Sequence, residues 1–152
     1  FLANSSIMEN IAFGLPITSI DQEKINRVIK LVHLDEFVQQ LPYGLNTSVG
    51  ELGVQLSGGQ RQRIGIARSL YNDAQVLILD EATRALDGIS EKLIMDTIHE
   101  FSGRKTIVII AHRVSTVQKC DLIYFMDEGE IVDQGTYDDL VKRNKTFKKM
   151  AM

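Results

Sequence analysis

The sequence is poor in the features that mark several large classes of protein. It has one cysteine, Cys120, among 152 residues, so an intrachain disulfide framework is impossible and the composition fits a reducing compartment. Its two prolines, Pro16 and Pro42, both fall in the first third, and no Pro-rich linker, repeat or low-complexity tract divides the chain. Basic residues are not in excess. Lys and Arg total 17 against 20 Asp and Glu, a net charge of -3, which is the reverse of the footprint of a dedicated nucleic-acid binder. The longest purely apolar run, Ile107 to Ala111, is far too short to cross a bilayer, and no secretory leader pattern opens the chain. The first residue is Phe1 rather than Met, which reads as a piece of something longer. What is present is a globular composition, 44% apolar and 24% charged, at a length that buries a real core.

A change of pattern near Ser69 separates residues 1-69 from residues 70-152. Before it the signal is helical. Ser19-Ile-Asp-Gln22 has the form of a capping box, and Ile25, Val28, Ile29 and Val32 recur at helical spacing behind it. A short helix is expected over 34–41, ended by Pro42-Tyr-Gly44. A polar, Gly-rich stretch over 45–59 then leads into a stronger helix carrying Ile64, Ala67, Arg68 and Leu70. After Ser69 the period changes. Val76-Leu-Ile-Leu79 and Thr106-Ile-Val-Ile-Ile-Ala111 are short branched runs, the mark of strands buried on both faces. Between them a helix opening near Ser90 places Leu93, Ile94, Ile98 and Phe101 on one face, so the segment reads as a βαβ unit with parallel strands. Leu122 to Met126 and Glu130 to Asp133 flank Asp127-Glu-Gly129 as a hairpin. A last helix from near Thr136 runs into Lys142, Arg143, Lys145, Lys148 and Lys149. Acidic lipid would suit those cations, but a solvated helix end, which favours cations near its C-terminus, is the preferred reading. The fold class is α/β, a helical first part followed by part of a mainly parallel sheet.

Three stretches carry chemistry. Leu56-Ser-Gly-Gly-Gln60, followed by Arg61-Gln62-Arg63, places Ser57 and Gln60 as a capping box at a helix start. Gly58 and Gly59 strip two side chains from the turn whose N–H groups are free, which is the form of an anion site and of an ordinary helix start alike. Val76-Leu-Ile-Leu-Asp80-Glu81 sets two carboxylates at the C-terminal end of a strand, where open α/β sheets bind ligands. A hydrophobic strand ending in Asp is how P-loop NTPases hold magnesium, and a second carboxylate beside it is suited to act as a general base toward water. A solvated turn would use the same pair. Ala111-His112-Arg113 ends the next strand and brings His112 to the same sheet edge. His33, His99 and Cys120 show no ligand spacing, and Met8, Met95, Met126, Met150 and Met152 form no stripe.

Together these stretches resemble the ATP-binding-cassette (ABC) ATPases, over the whole chain. In that family's terms Leu56 to Gln60 is the signature motif, Leu77 to Glu81 closes Walker B, Thr83 to Asp87 matches the D-loop, and His112 is the switch histidine. Glu9-Asn10-Ile11-Ala-Phe-Gly14 resembles the start of the family's helical subdomain, and Thr47-Ser-Val-Gly-Glu51-Leu-Gly53 the X-loop of exporters. Two positions depart from the pattern: Leu52 stands where an Arg is usual after Glu51, and Arg84 where the D-loop normally has Ser. The resemblance implies a partial P-loop NTPase fold, with residues 1-69 as helical subdomain and residues 70-152 as the Walker B half of the ATPase core. It implies ATP and Mg²⁺ as cofactors, with Ser57, Gly58, Gly59, Gln60 and Asp87 on the nucleotide, Asp80 on the metal, and Glu81 and His112 as catalytic residues. It further implies a second nucleotide-binding domain packed head to tail, a transmembrane domain met through the Glu51 region, and a place at the cytoplasmic face of a membrane.

The phosphate cradle Gly-x-x-x-x-Gly-Lys-Ser/Thr does not occur; Gly103-Arg-Lys-Thr106 lacks both required glycines and reads as a turn. The chain therefore looks like the C-terminal half of a nucleotide-binding domain, expected to bind ATP poorly by itself. The first reading of function is the ATPase part of an exporter that moves a lipid, lipid-linked sugar, peptide or drug. A soluble ABC ATPase of DNA repair or translation and a non-catalytic interaction module are the other classes. The Glu9-Asn10-Ile11 and Val49 to Gly53 stretches argue against the former, and the presence of Glu81 and His112 argues against the latter for the parent protein, though not for this piece by itself.

Overall fold

A computed structural model describes residues 1–81 and 85–151. The D-loop reading at Thr83 and the departure at Arg84 lie outside the described residues, which resume at Ala85. The chain forms two compact units, one of Phe1–Leu77 with Ala82–Val108, the other of Ile78–Glu81 with Ile109–Met152.

The first unit is built on helix α4 (Gly58–Tyr71), against which α1 (Ile7–Ile11) and α2 (Gln22–Leu31) pack. Ile25, Val28 and Ile29 of α2 and Ile64, Ala67 and Leu70 of α4 are buried, as the helical spacing predicts. The Tyr71 hydroxyl accepts the Asp21 N–H at 3.0 Å, tying the start of α2 to the end of α4. A short α3 (Asp35–Gln39) follows. At the other end of the unit, α1 is closed by a reciprocal capping box between Ser6 and Glu9, and the Ser6 hydroxyl and N–H hold the Glu9 carboxyl below the ordinary carboxylate range.

Asn10 of α1 is fully buried and is a hub. Its Oδ1 accepts from the Ala3 N–H at 2.9 Å and its Nδ2 donates to Ala3 O, Ser6 O and Ser5 Oγ. Arg68 of α4 completes it, donating from Nε to Asn10 O at 2.7 Å, from Nη2 to Asn10 Oδ1 at 3.2 Å and from Nη1 to Phe1 O at 3.1 Å. The guanidinium also lies 4.7 Å from the centre of the Phe13 ring. Burial lowers the Arg68 pKa.

Strands β1 (Val76–Asp80) and β2 (Thr106–Ile110) pair with each other and are joined through α5 (Gly88–His99). The Thr106 N–H bonds to Gln75 O, and the Glu81 N–H to Ile110 O. These contacts run in the same order along both strands, so the strands are parallel, as a βαβ unit requires.

In the second unit β3 (Ile123–Asp127) and β4 (Glu130–Gly135) form an antiparallel hairpin. Its turn residues Glu128 and Gly129 both have positive φ, 46° and 84°, the primed geometry that matches strand twist. Helices α6 (Tyr137–Arg143) and α7 (Lys145–Met150) cover it, with Val114, Ile123, Leu140 and Phe147 as core and Phe125 edge-on to Phe147 at 5.6 Å. Cys120 is half-buried against that core, and burial pushes its thiol pKa up.

Several local expectations are corrected. The cap of α2 is Asp21, whose carboxylate accepts the Lys24 N–H at 2.9 Å; Ser19 is already used in a 3-10 turn after Pro16. Neither β-run is buried on both faces: Leu77 and Leu79 are buried, but Val76 and Ile78 are 52% and 67% exposed, and Val108 and Ile110 of β2 are exposed as well. Alternate residues of a strand point to opposite sides, and only one side of β1 is covered. Leu93 is exposed, and Met95 is buried in its place on α5. The last helix is two, because Asn144 is extended (φ -100°, ψ 108°) and its side chain caps α7 through the Phe147 N–H.

Replacing Asn10 by Ala leaves the Ala3 carbonyl and amide and one Arg68 N–H without their partner. The expected cost is about 2–4 kcal/mol, read as a lower denaturant midpoint at unchanged slope; an unaltered midpoint would show that the hub carries no stability.

Candidate functional site

Two groups of residues predicted from sequence lie in different units and are described separately. The first is the N-terminal turn of α4. Ser57 has extended backbone (φ -64°, ψ 161°), its Oγ accepts the Gln60 N–H at 3.2 Å, and Gln60 Oε1 accepts the Ser57 N–H at 2.8 Å. The expected capping box is therefore formed in full. It occupies the amides of Ser57 and Gln60, leaving those of Gly58 and Gly59 as first-turn donors with no intrahelical acceptor. Arg61 stiffens the approach to this turn, donating from Nη1 to Leu56 O at 2.7 Å.

The bare backbone here has a second cause that sequence reasoning missed. A Cβ at Gly58 would lie 3.1 Å from Ala85 Cβ, and one at Gly59 would lie 3.1 Å from Leu86 Cδ2 and 3.4 Å from Ala85 O. Close packing within this chain thus favours bare backbone at both positions, whatever a ligand asks of the turn. Nothing local to the motif announces this, since residues 85 and 86 are remote in sequence. Asp87, expected on the nucleotide, is placed as the N-cap of α5: Oδ1 accepts from the Ile89 and Ser90 N–H groups and Oδ2 from the Ser90 hydroxyl at 2.8 Å.

The second group is at the ends of β1 and β2. Asp80 closes β1 with an exposed side chain. Glu81 follows in left-handed backbone (φ 46°), a conformation that costs a non-glycine residue energy and needs surroundings that hold it. Its N–H is held by Ile110 O at 3.0 Å. That bend aims the carboxylate at the end of β2, where His112 Nε2 lies 2.6 Å from Glu81 Oε1. The sequence expectation that His112 and the strand-end carboxylates share one sheet edge holds for Glu81. The imidazole is largely exposed, at 81%, and the carboxylate less so, at 30%, so the pair opens to solvent on the histidine side.

As a metal centre the group is incomplete by itself. Among the described residues no cluster of three or more His, Cys, Asp or Glu is placed to hold an ion. One exposed carboxylate at a strand end nevertheless suits Mg²⁺, which is commonly held by one or two carboxylates together with substrate phosphates. For ATP the chain supplies amide donors at the start of α4 but no glycine-rich cradle ending in Lys, so it fits part of a nucleotide site.

The stretch expected to be an X-loop is exposed at its tip. Val49 is buried and its N–H bonds to Ser5 O, whereas Glu51 is exposed and Leu52 sits exposed at φ 53°. Gly53, at φ 72°, would meet Leu2 Cδ1 at 2.9 Å with any Cβ.

The family model for ABC transporters matches residues 1–84. The chain belongs to the ABC transporter family. The heterocyst differentiation ATP-binding protein HepA of Nostoc sp. is 46% identical over the whole chain, and the ATP-dependent lipid A-core flippase of Pseudoalteromonas translucida is 48% identical over 99% of it. The solved structure of a bacterial Atm1-family ABC exporter with ATP bound is 36% identical and superposes over 98% of the chain with a TM-score of 0.91. The chain spans about a quarter of the length of these relatives, 25% and 26% of the two curated proteins and 26% of the exporter. Its likeness within the ABC family is thus to the ATP-binding part of exporters. Among the described residues no helix is long and apolar enough to cross a membrane.

The Ser90 N–H and hydroxyl hold the Asp87 carboxyl below the ordinary aspartate range. A depressed folded pKa means that the cap is in place above the unfolded value and is lost as pH falls through the folded one. In an NMR titration the Ser90 amide is expected to shift only at pH below the usual aspartate midpoint. A shift centred at or above that midpoint would refute the cap as a charged acceptor.

Proposed function

We propose that this chain is the C-terminal portion of the ATP-hydrolysing domain of an ABC exporter. The observation that carries the proposal is the Glu81–His112 pair beside Asp80 at adjoining strand ends, in a chain of this family. Glu81 polarises the attacking water: it is a carboxylate held by a strained backbone and a histidine contact, the preorganisation that general-base work needs. His112, exposed beside it, is the group that reads the γ-phosphate, and its contact with Glu81 links that reading to the base. Asp80 is the residue that would hold Mg²⁺. The metal, when bound, neutralises charge developing on the transferred phosphoryl group.

Ser57 and Gly59 donate to the γ-phosphate of a nucleotide lying on a second nucleotide-binding domain. Gly58 keeps the turn open, and Gln60 supports it through the capping box. Two domains packed head to tail make two such composite sites, with Asp87 in the loop near the seam. This arrangement accounts for a signature turn that has donors but no cradle of its own. On this reading residues 1-69 are the helical subdomain and residues 70-152 the Walker B half of the core. On the same reading the exposed tip at Glu51 and Leu52 meets the transmembrane domain, and the chain works at the cytoplasmic face of a membrane. The flippase among the relatives favours a lipid-linked cargo over the peptide and drug classes.

In the exporter, Glu81→Gln should lower ATP turnover by roughly 10²–10⁴-fold while ATP remains bound and the dimer stays closed. Undiminished steady-state turnover would remove Glu81 as the base. For the 152-residue chain, calorimetry with Mg·ATP should give no heat of binding, and micromolar affinity would mean that a phosphate cradle exists where none is proposed.

A further inference from the structure

We propose that Gln62 is a positioning residue that fastens the loop at 85–87 to the N-terminal turn of α4, so that loop and turn move as one body. The inference rests on the function proposed above, in which that turn meets the γ-phosphate.

Residues four apart on a helix share a face, and α4 uses two such pairs toward the same segment. Gly58 lies close enough to Ala85 that a Cβ there would crowd it, and one turn later Gln62 Oε1 accepts the Ala85 N–H at 3.1 Å. Gly59 is backed in the same way by Leu86, and one turn later Arg63 Nη2 donates to Ser90 Oγ at 2.6 Å. The Ser90 hydroxyl in turn donates to Asp87 Oδ2 at 2.8 Å, and Arg63 Nη1 is anchored on His33 O at 2.8 Å. The segment 85–90 is therefore seated on glycine backbone on its inner side and held by a polar side chain at each end. Leu86 is buried beneath it.

The consequence is mechanical. With no side chain at 58 or 59, the Ala85 and Leu86 side chains reach the helix backbone itself, so a displacement of Ala85 or Leu86 is passed to the first turn through close-packed contacts. The Gln62 bond sets the register, because it is the contact that fixes the height of the Ala85 amide along α4. The glycines alone would permit sliding. A phosphate drawn onto the Gly58–Gly59 turn would thus move the loop, and a partner pressing on the loop would move the donors.

The test uses the exporter, in its steady-state ATPase assay, with hydrogen exchange at the Ala85 amide as the second readout. Gln62→Ala should lower kcat about tenfold, the scale of a catalytic group held slightly out of place, with KM for ATP changed less than about twofold, and should speed Ala85 exchange. Gln62→Glu keeps an acceptor oxygen at the same reach, so it should restore both kcat, to within about threefold of wild type, and the slow exchange. A wild-type kcat in Gln62→Ala overturns the inference, and so does a Gln62→Glu variant that behaves like Gln62→Ala. If wild type turns over ATP and Glu81→Gln does not, either of those results counts against Gln62 alone. A wild-type exporter without ATPase activity overturns the proposed function and this inference with it.

Discussion

An amide buried away from water must find its hydrogen bonds inside the protein, and at Asn10 that requirement organises the first unit. Its side chain bonds back onto residues 3 to 6, and Arg68, in the body of α4, completes the set. The pairing forces the first segment of chain to lie along α4 in a single register, because sliding by even one residue would strand several polar groups at once. Packing of Ile7, Ile11 and Ile64 then fills the space that the polar hub defines.

With α4 held in this way, its two ends take different tasks. The C-terminal end takes part in the core through Leu70 and Tyr71. The N-terminal end is kept bare and hydrogen-bond-rich, with Arg61 closing the preceding loop and the Ser57–Gln60 box closing the turn. A helix anchored along its length offers donors whose positions do not have to be organised when an anion arrives, which is the useful property of such a site.

The strand-end group depends on a different constraint. Glu81 occupies left-handed backbone, and the bond from its N–H to Ile110 O is what the parallel pairing of β1 and β2 supplies there. The conformational cost is of the order of 1–3 kcal/mol, and in return the carboxylate leaves the line of the strand and meets His112. An unstrained residue at this position would continue the alternation of β1 and direct its side chain elsewhere.

Periodicity and capping chemistry made most elements readable in advance, because both are local. The Ser57 box, the helix through Ile64 to Leu70, the βαβ order and the turn at Asp127 to Gly129 each rest on residues within a few positions of one another. Errors fell where two local solutions competed or where burial decided. Asp21 outcompeted Ser19 as a cap, Asn144 split the last helix, and Val76 and Ile78 look identical in sequence to Leu77 and Leu79 until the covered side is known. The motifs at 56–60, 76–81 and 112 determined the family, since their residue types and spacing are properties of the chain itself. Only tertiary structure decided what those residues touch. That Gly58 and Gly59 lie close against Ala85 and Leu86, and that Glu81 turns toward His112, are contacts set by three-dimensional packing and backbone strain, which local pattern does not encode.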